Sequence, residues 1–139
     1  LKDTCCDLAQ LKAKVGILTG SAFKIFNANA ATLLESLKFG IAGYSGVMAN
    51  FHPQLYVWLT RNWKTLPEKA GDIQSFLGPA SIIEQQFYPV NAKYFLRLEG
   101  LSIGLGCRMQ NPAGFTSFHR LEIEQFRALS NAWSGEFRI

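Results

Sequence analysis

The feature that most restricts this chain is the order of its elements over the first fifty residues, where short apolar runs alternate with helical stretches across connections of a few residues. Asp7 stands where a helix N-cap belongs, and Asp7 to Lys14 reads as a helix leading into Val15-Gly16-Ile17-Leu18-Thr19, an apolar run that reads as a buried strand. The cycle then repeats. Ala30 to Lys38 places Leu33, Leu34 and Leu37 on one helical face, and Gly40-Ile41-Ala42-Gly43-Tyr44-Ser45 follows as the next strand. Helix and strand alternating through loops this short imply parallel strands, each covered by a helix. Leu1-Lys2 reads as the tail of a further strand.

After residue 52 no strand candidate appears, and the chain reads as helices punctuated by proline and glycine. Pro53 suits a first helical turn, and Leu55, Trp58 and Leu59 give that helix an apolar stripe that stops before Leu66-Pro67. Glu68 to Gln86 is expected to be helical with a bend at Pro79, Val90 to Glu99 to be a helix closed by Gly100, and Arg120 to Ala132 to be the last. The aromatic residues of these helices, among them Phe76, Phe87, Tyr94, Phe95 and Phe126, fit a core or a subunit interface better than a cofactor site. Two strands and the tail of a third are too few for a covered parallel sheet, which normally has about five or more. Strands are therefore expected upstream, and a first residue that is leucine, with no signal segment after it, reads as a cut.

Composition narrows the function classes. With 48% hydrophobic and 17% charged residues in 139, the chain has the means to build one packed core. Charged residues interrupt every apolar run before the roughly 18–20 residues a membrane helix needs, so a soluble, cytoplasmic protein is expected. The net charge of +4 comes from 14 basic residues scattered singly from Lys2 to Arg138, a solvated surface rather than a nucleic-acid stripe. Cys5 and Cys6 are adjacent, Cys107 is distant, and neither His52 nor His119 has a companion at ligand spacing, so reduced thiols and no metal are expected. Gly40, Gly43 and Gly46 straddle a strand and do not make the phosphate-binding glycine pattern.

One resemblance ties these pieces together. Lys2-Asp3 at a strand end, Asp7-Leu8 opening a helix, a strand ending in Gly20-Ser21, the run from Gly40 to Asn50, and Pro89-Val90-Asn91-Ala92-Lys93 leading to Glu99-Gly100-Leu101 resemble, in order and spacing, the dihydrodipicolinate synthase and N-acetylneuraminate lyase family of Schiff-base aldolases. The resemblance implies an α/β fold, the C-terminal portion of a (β/α)8 TIM barrel: the end of strand six and strands seven and eight in residues 1–66, then a C-terminal helical region in 67–139. It implies that Lys2 is the catalytic residue, forming a covalent imine with pyruvate or a related 2-oxo acid whose enamine attacks an aldehyde, with no separate cofactor. Gly20, at the end of strand seven, and the main-chain carbonyl of Ser45, at the end of strand eight, fall on the family's substrate-binding positions. The partners implied are the N-terminal part of the barrel and further copies of the protein, as a dimer or tetramer. Tyr44-Ser45-Gly46 departs from the aliphatic residues common before that serine, and the family's Arg-x-Pro survives only as Arg108 with Pro112. The proton-relay tyrosine and the carboxylate-gripping loop of the family lie upstream of the lysine. A non-catalytic family member that serves as an assembly module is the competing reading.

The chemistry explains the lysine. An amine is a poor nucleophile while protonated near its reference pKa of about 10.4, and an apolar or cationic barrel interior brings it down. Once neutral, it can attack a ketone, and the protonated imine then acts as the electron sink for making or breaking a carbon-carbon bond.

Overall fold

A computed structural model describes residues 1–137 and shows three short parallel strands backed by helices, followed by a helical region. The strands are β1 (Lys2–Asp3), β2 (Phe26–Asn27) and β3 (Gly43–Tyr44), in the order β1-β2-β3. Lys2 pairs with Phe26 and Phe26 with Gly43; Asp3 pairs with Asn27 and Asn27 with Tyr44. Partners in a parallel register share a face. Asp3 and Asn27 are buried and Tyr44 is half-buried on the face the helices cover, whereas Lys2 and Phe26 are exposed on the other. The Phe26 ring lies over Gly43 on that open face.

The first helix, α1 (Leu8–Ile17), starts as expected: the Asp7 carboxylate accepts the N–H groups of Ala9 and Gln10 at 2.8 and 3.1 Å. It does not give way to a strand at Val15. Leu8, Leu11, Val15 and Leu18 are spaced three, four and three apart, one continuous helical stripe, and Leu11 on that stripe is buried. The run from Val15 to Thr19 is therefore the end of α1 and its closing turn, and β2 at Phe26–Asn27 is the strand between β1 and β3. Hydrogen bonds from Phe26 and Ala28 to Leu1 and Asp3, and from Ala42 and Ser45 to Ile25 and Asn27, continue the ladder past each strand end.

The remaining elements are α2 (Leu33–Lys38), a 3-10 turn (Val47–Asn50), α3 (Pro53–Asn62), α4 (Pro67–Ala80), a second 3-10 turn (Ser81–Gln85), α5 (Val90–Leu98), a short turn at Pro112–Gly114 and α6 (Ser117–Glu136). The helix expected over Glu68 to Gln86 ends at Ala80 and tightens into the 3-10 turn just after Pro79, whose ring cannot continue the α-helical ladder. Gly100 takes φ +92° after α5, the left-handed conformation that suits glycine. The last helix is longer than Arg120 to Ala132 because Thr116 caps it: the Thr116 N–H donates to His119 Nδ1, closing the first turn from outside.

One hydrophobic cluster runs through both halves of the chain. Leu33, Met48, Leu55 and Leu59 pack with Ile73, Leu77, Phe95 and Ile123, and Phe51 sets its edge against Phe95 (5.3 Å) and Phe126 (5.7 Å). Polar ties cross the same boundary. Gln74 of α4 accepts from the Leu34 N–H (2.8 Å) and donates to the carbonyls of Ala30 and Ala31 (3.0 and 3.1 Å). His52 Nδ1 lies 3.0 Å from Ser130 Oγ, and Gln54 donates to Ser134 Oγ at 3.1 Å. Among the described residues no helix is long and apolar enough to cross a membrane.

Candidate active site

Because the strands are parallel, their C-terminal ends lie along one edge: Lys2-Asp3, Asn27-Ala28-Asn29 and Tyr44-Ser45-Gly46. Alternation separates the first pair. Asp3 faces the helices and anchors the β1–α1 loop: its Oδ1 accepts the Cys5 N–H at 2.9 Å and its Oδ2 meets Lys14 Nζ of α1 at 2.6 Å. The Cys5 side chain, the Lys14 ammonium and the Cys5 N–H together hold its carboxyl down at about 2. Lys2 faces the other way, onto the open side of the sheet, and makes no hydrogen bond or ion pair through its side chain with the described residues.

The end of β2 is held by a side-chain network. Asn27, 2% exposed, donates through Nδ2 to Thr32 Oγ1 (2.9 Å) and Ser36 Oγ (3.0 Å), and its Oδ1 accepts the Asn29 N–H at 2.8 Å. Asn29 Oδ1 accepts from the Thr32 N–H at 3.0 Å and the Thr32 hydroxyl at 3.1 Å, which fixes the chain where it turns into α2. The Asn29 amide also donates to Cys6 Sγ at 3.4 Å, linking the loop after β2 to the loop after β1.

Beyond β3, Gly46 is required by space: a side chain there would collide with the Ala28 carbonyl oxygen and the Tyr44 hydroxyl. The Tyr44 ring stacks on Tyr56 of α3 with centroids 4.0 Å apart and planes at 8°. Both hydroxyls are buried without a hydrogen-bond partner; burial pushes Tyr44 up to about 12 and raises Tyr56 further, so both stay protonated. The Glu84 carboxyl, half-buried in the second 3-10 turn, is also raised by burial, and the Lys2 charge opposes that rise.

Lys2 and Ser45 are therefore brought to the same edge, and Ser45 is exposed there. Gly20 is not. It occupies the turn after α1 at φ +81°, ahead of β2, where the neighbouring Leu18–Ile25 segment shares a cavity of about 220 Å³ with Gly40 and Ala42, the approach to β3. That is the N-terminal end of the sheet. The misplacement follows directly from reading Val15 to Thr19 as the strand. Asn27, Asn29 and Glu84 were missed; the signal for the first two was present, since Asn29 followed by Thr32 and Leu33-Leu34 is a turn-then-helix pattern that closes a strand just before it. Glu84 had no signal, because only the fold carries it toward β1. Arg108 is exposed in the segment between α5 and α6, which has no regular structure over residues 101–107. Among the described residues no group of three His, Cys, Asp or Glu side chains could hold a metal ion.

A dihydrodipicolinate synthase described as the first monomeric variant superposes with a TM-score of 0.80 at 21% identity, over 94% of this chain and 44% of its own. Dihydrodipicolinate synthase from Thermotoga maritima gives 0.78 at 21%, over 94% and 45%. YagE, a prophage protein of E. coli K12 belonging to the dihydrodipicolinic acid synthase family and solved in complex with pyruvate, gives 0.76 at 21%, over 96% and 45%. These likenesses show a shared fold, and the chain spans under half the length of the structures it matches. No curated protein matches it. The sequence model that matches is that of the Dihydrodipicolinate synthetase family, and since the match runs over residues 1–118, from Lys2 through every strand to the start of α6, the chain belongs to that family.

Proposed function

We propose that this chain is the imine-forming, C-terminal part of a pyruvate-dependent class I aldolase or lyase, with β1, β2 and β3 as the sixth to eighth strands of its barrel and Lys2 as the nucleophile. One observation carries the reading: Lys2, one residue before the C-terminal end of β1, lies on the sheet face the helices leave open, at the edge where Ser45 also lies. In barrels of this kind chemistry sits at the C-terminal ends of the strands. The neutral Lys2 amine attacks the ketone carbon of pyruvate, water leaves, and the protonated imine accepts the electron pair when a neighbouring C–H or C–C bond breaks. The Ser45 carbonyl is placed to accept a hydrogen bond from the substrate, and Gly20, at the other end of the sheet, takes no part. No separate cofactor is needed, since the imine is the electron sink.

Pyruvate as the 2-oxo acid is supported by family membership and by the E. coli relative solved with it. We further propose that residues 67–139 contribute to contacts between copies of the protein, since Ile82, Phe118, Leu121 and Leu129 there are more than half or about half exposed. The functional test is substitution at position 2 in the full-length protein. Lys2→Ala and Lys2→Arg should reduce turnover to background with unchanged thermal unfolding, because the side chain makes no hydrogen bond or ion pair with the described residues. Turnover surviving in either variant would transfer the role elsewhere, and a parent protein without turnover would favour an assembly module.

A further inference from the structure

Two nucleophilic groups at the strand-end edge take no part in the chemistry assigned to Lys2. Cys5 and Cys6 lie in the loop between β1 and the Asp7 cap of α1, and both thiols are free, Cys6 exposed and Cys5 half-buried. Neither sulfur is strongly held. The Cys5 S–H donates to the Asp7 carbonyl at 3.5 Å and the Cys6 S–H to the Thr4 carbonyl at 3.6 Å, while the Cys6 sulfur accepts the Asn29 amide from the loop after β2 at 3.4 Å. An accessible thiol with a second thiol beside it is the arrangement that turns a sulfenic acid into a disulfide. Cys107 lacks it: it is half-buried, and its sulfur exchanges two hydrogen bonds of 3.2 Å with the Gln110 backbone.

Neighbouring Cα atoms are about 3.8 Å apart, closer than a relaxed disulfide spans. A bond between Cys5 and Cys6 is therefore strained and easily reduced, which suits a reversible switch and not a structural bridge. We propose that Cys5 and Cys6 form a redox-sensitive dithiol that hydrogen peroxide closes into a vicinal disulfide. The Cys6 thiolate attacks one peroxide oxygen, the O–O bond breaks, and the departing hydroxide takes a proton to leave as water, with Cys6 a sulfenic acid. The Cys5 sulfur, giving up its proton, then attacks the Cys6 sulfur; the S–O bond breaks and a second water leaves. Two thiols have lost two electrons and one peroxide has gained them. A thiol reductant reverses the step by exchange. Closure takes the Cys6 sulfur from the Asn29 amide, undoing the link between the loops after β1 and β2, and turns the backbone at Cys5, whose N–H Asp3 holds at 2.9 Å. Asp3 is the strand neighbour of Lys2, so closure displaces the edge that carries the amine, an effect that rests on the assignment of Lys2 as the imine-forming residue.

The experiment treats the reduced full-length protein with hydrogen peroxide, alkylates the remaining thiols and maps the peptides, for the parent, Cys5→Ser, Cys6→Ser and Cys107→Ser. The parent and Cys107→Ser should yield a peptide with Cys5 and Cys6 unalkylated and lighter by two hydrogens, restored by dithiothreitol. Cys5→Ser should stop at a sulfenic acid on Cys6 that dimedone captures. Trapping at Lys2 with pyruvate and cyanoborohydride should slow by about tenfold or more in the oxidised parent, the scale of a displaced reacting group, and should keep the reduced rate in peroxide-treated Cys6→Ser. Both cysteines alkylated after peroxide, or a bridge to Cys107 or to another molecule, overturns the dithiol. An oxidised parent trapped at the reduced rate, or an equal loss in Cys6→Ser, overturns the switch. A reduced parent that forms no adduct at Lys2 overturns the Lys2 assignment and the effect on trapping with it, while the peptide map still decides the dithiol.

Discussion

At Gly46 the backbone leaving β3 passes so close to the end of β2 that one methyl group has no room, and one of the atoms in its way, the Ala28 carbonyl oxygen, is main chain of a residue whose N–H the ladder holds. Gly46→Ala should therefore destabilise the fold by about 2–3 kcal/mol, the scale of overpacking in a tight site, read as a lowered urea midpoint; an unchanged midpoint would show that the strand ends are looser than described. His52 sets a different constraint. It is fully buried among Tyr56, Phe76 and Phe126, its Nδ1 meets Ser130 Oγ, and its Nε2 has no partner. Burial lowers its pKa from 6.5 to about 4. The unfolded chain then takes up the proton first, so the stability is intact above about pH 6.5 and falls progressively as pH drops toward 4, by about 3 kcal/mol in all. A His52→Gln variant should lose this pH dependence, and unfolding curves at pH 7 and pH 4.5 check it.

Among the elements, the helices were legible and the strands only partly so. Asp7, Pro53 and Gly100 each carry a backbone or capping requirement that a single residue announces, and each marks an end where the structure has one. Strands of two residues announce little. Phe26 is exposed and Asn27 is a buried polar residue held by Thr32 and Ser36, so β2 shows neither an apolar run nor an alternation with which to compete against Val15 to Thr19. Gly16 of that run lies inside α1, exposed and with nothing near the position of a Cβ. Gly16→Ala should accordingly stabilise the protein by about 0.5–1 kcal/mol, measured by thermal or urea unfolding. A loss of stability there would restore the strand. The same error displaced one site position: Lys2 and Ser45 fall at strand ends because β1 and β3 were placed where the structure has them, whereas Gly20 was assigned to a strand end that lies at Asn27.

The described sheet has two open edges. β1 and β3 each pair on one side only, and Leu1, Phe23 and Phe26 are exposed around the open face. Residues 1–139 expressed alone should associate or aggregate at micromolar concentration, and a cooperatively unfolding monomer in the ultracentrifuge would show that the sheet needs no further strands. On the proposed function, Lys2 works as an imine-forming amine only where the remaining strands of a barrel surround it. The central claim is that Lys2 becomes that amine in the complete protein. Borohydride reduction of the full-length protein with pyruvate, followed by peptide mapping, tests it most directly. We expect a single reduced adduct on the peptide carrying Lys2 and none in Lys2→Ala; an adduct on another lysine, or none with pyruvate present in excess, would contradict the account.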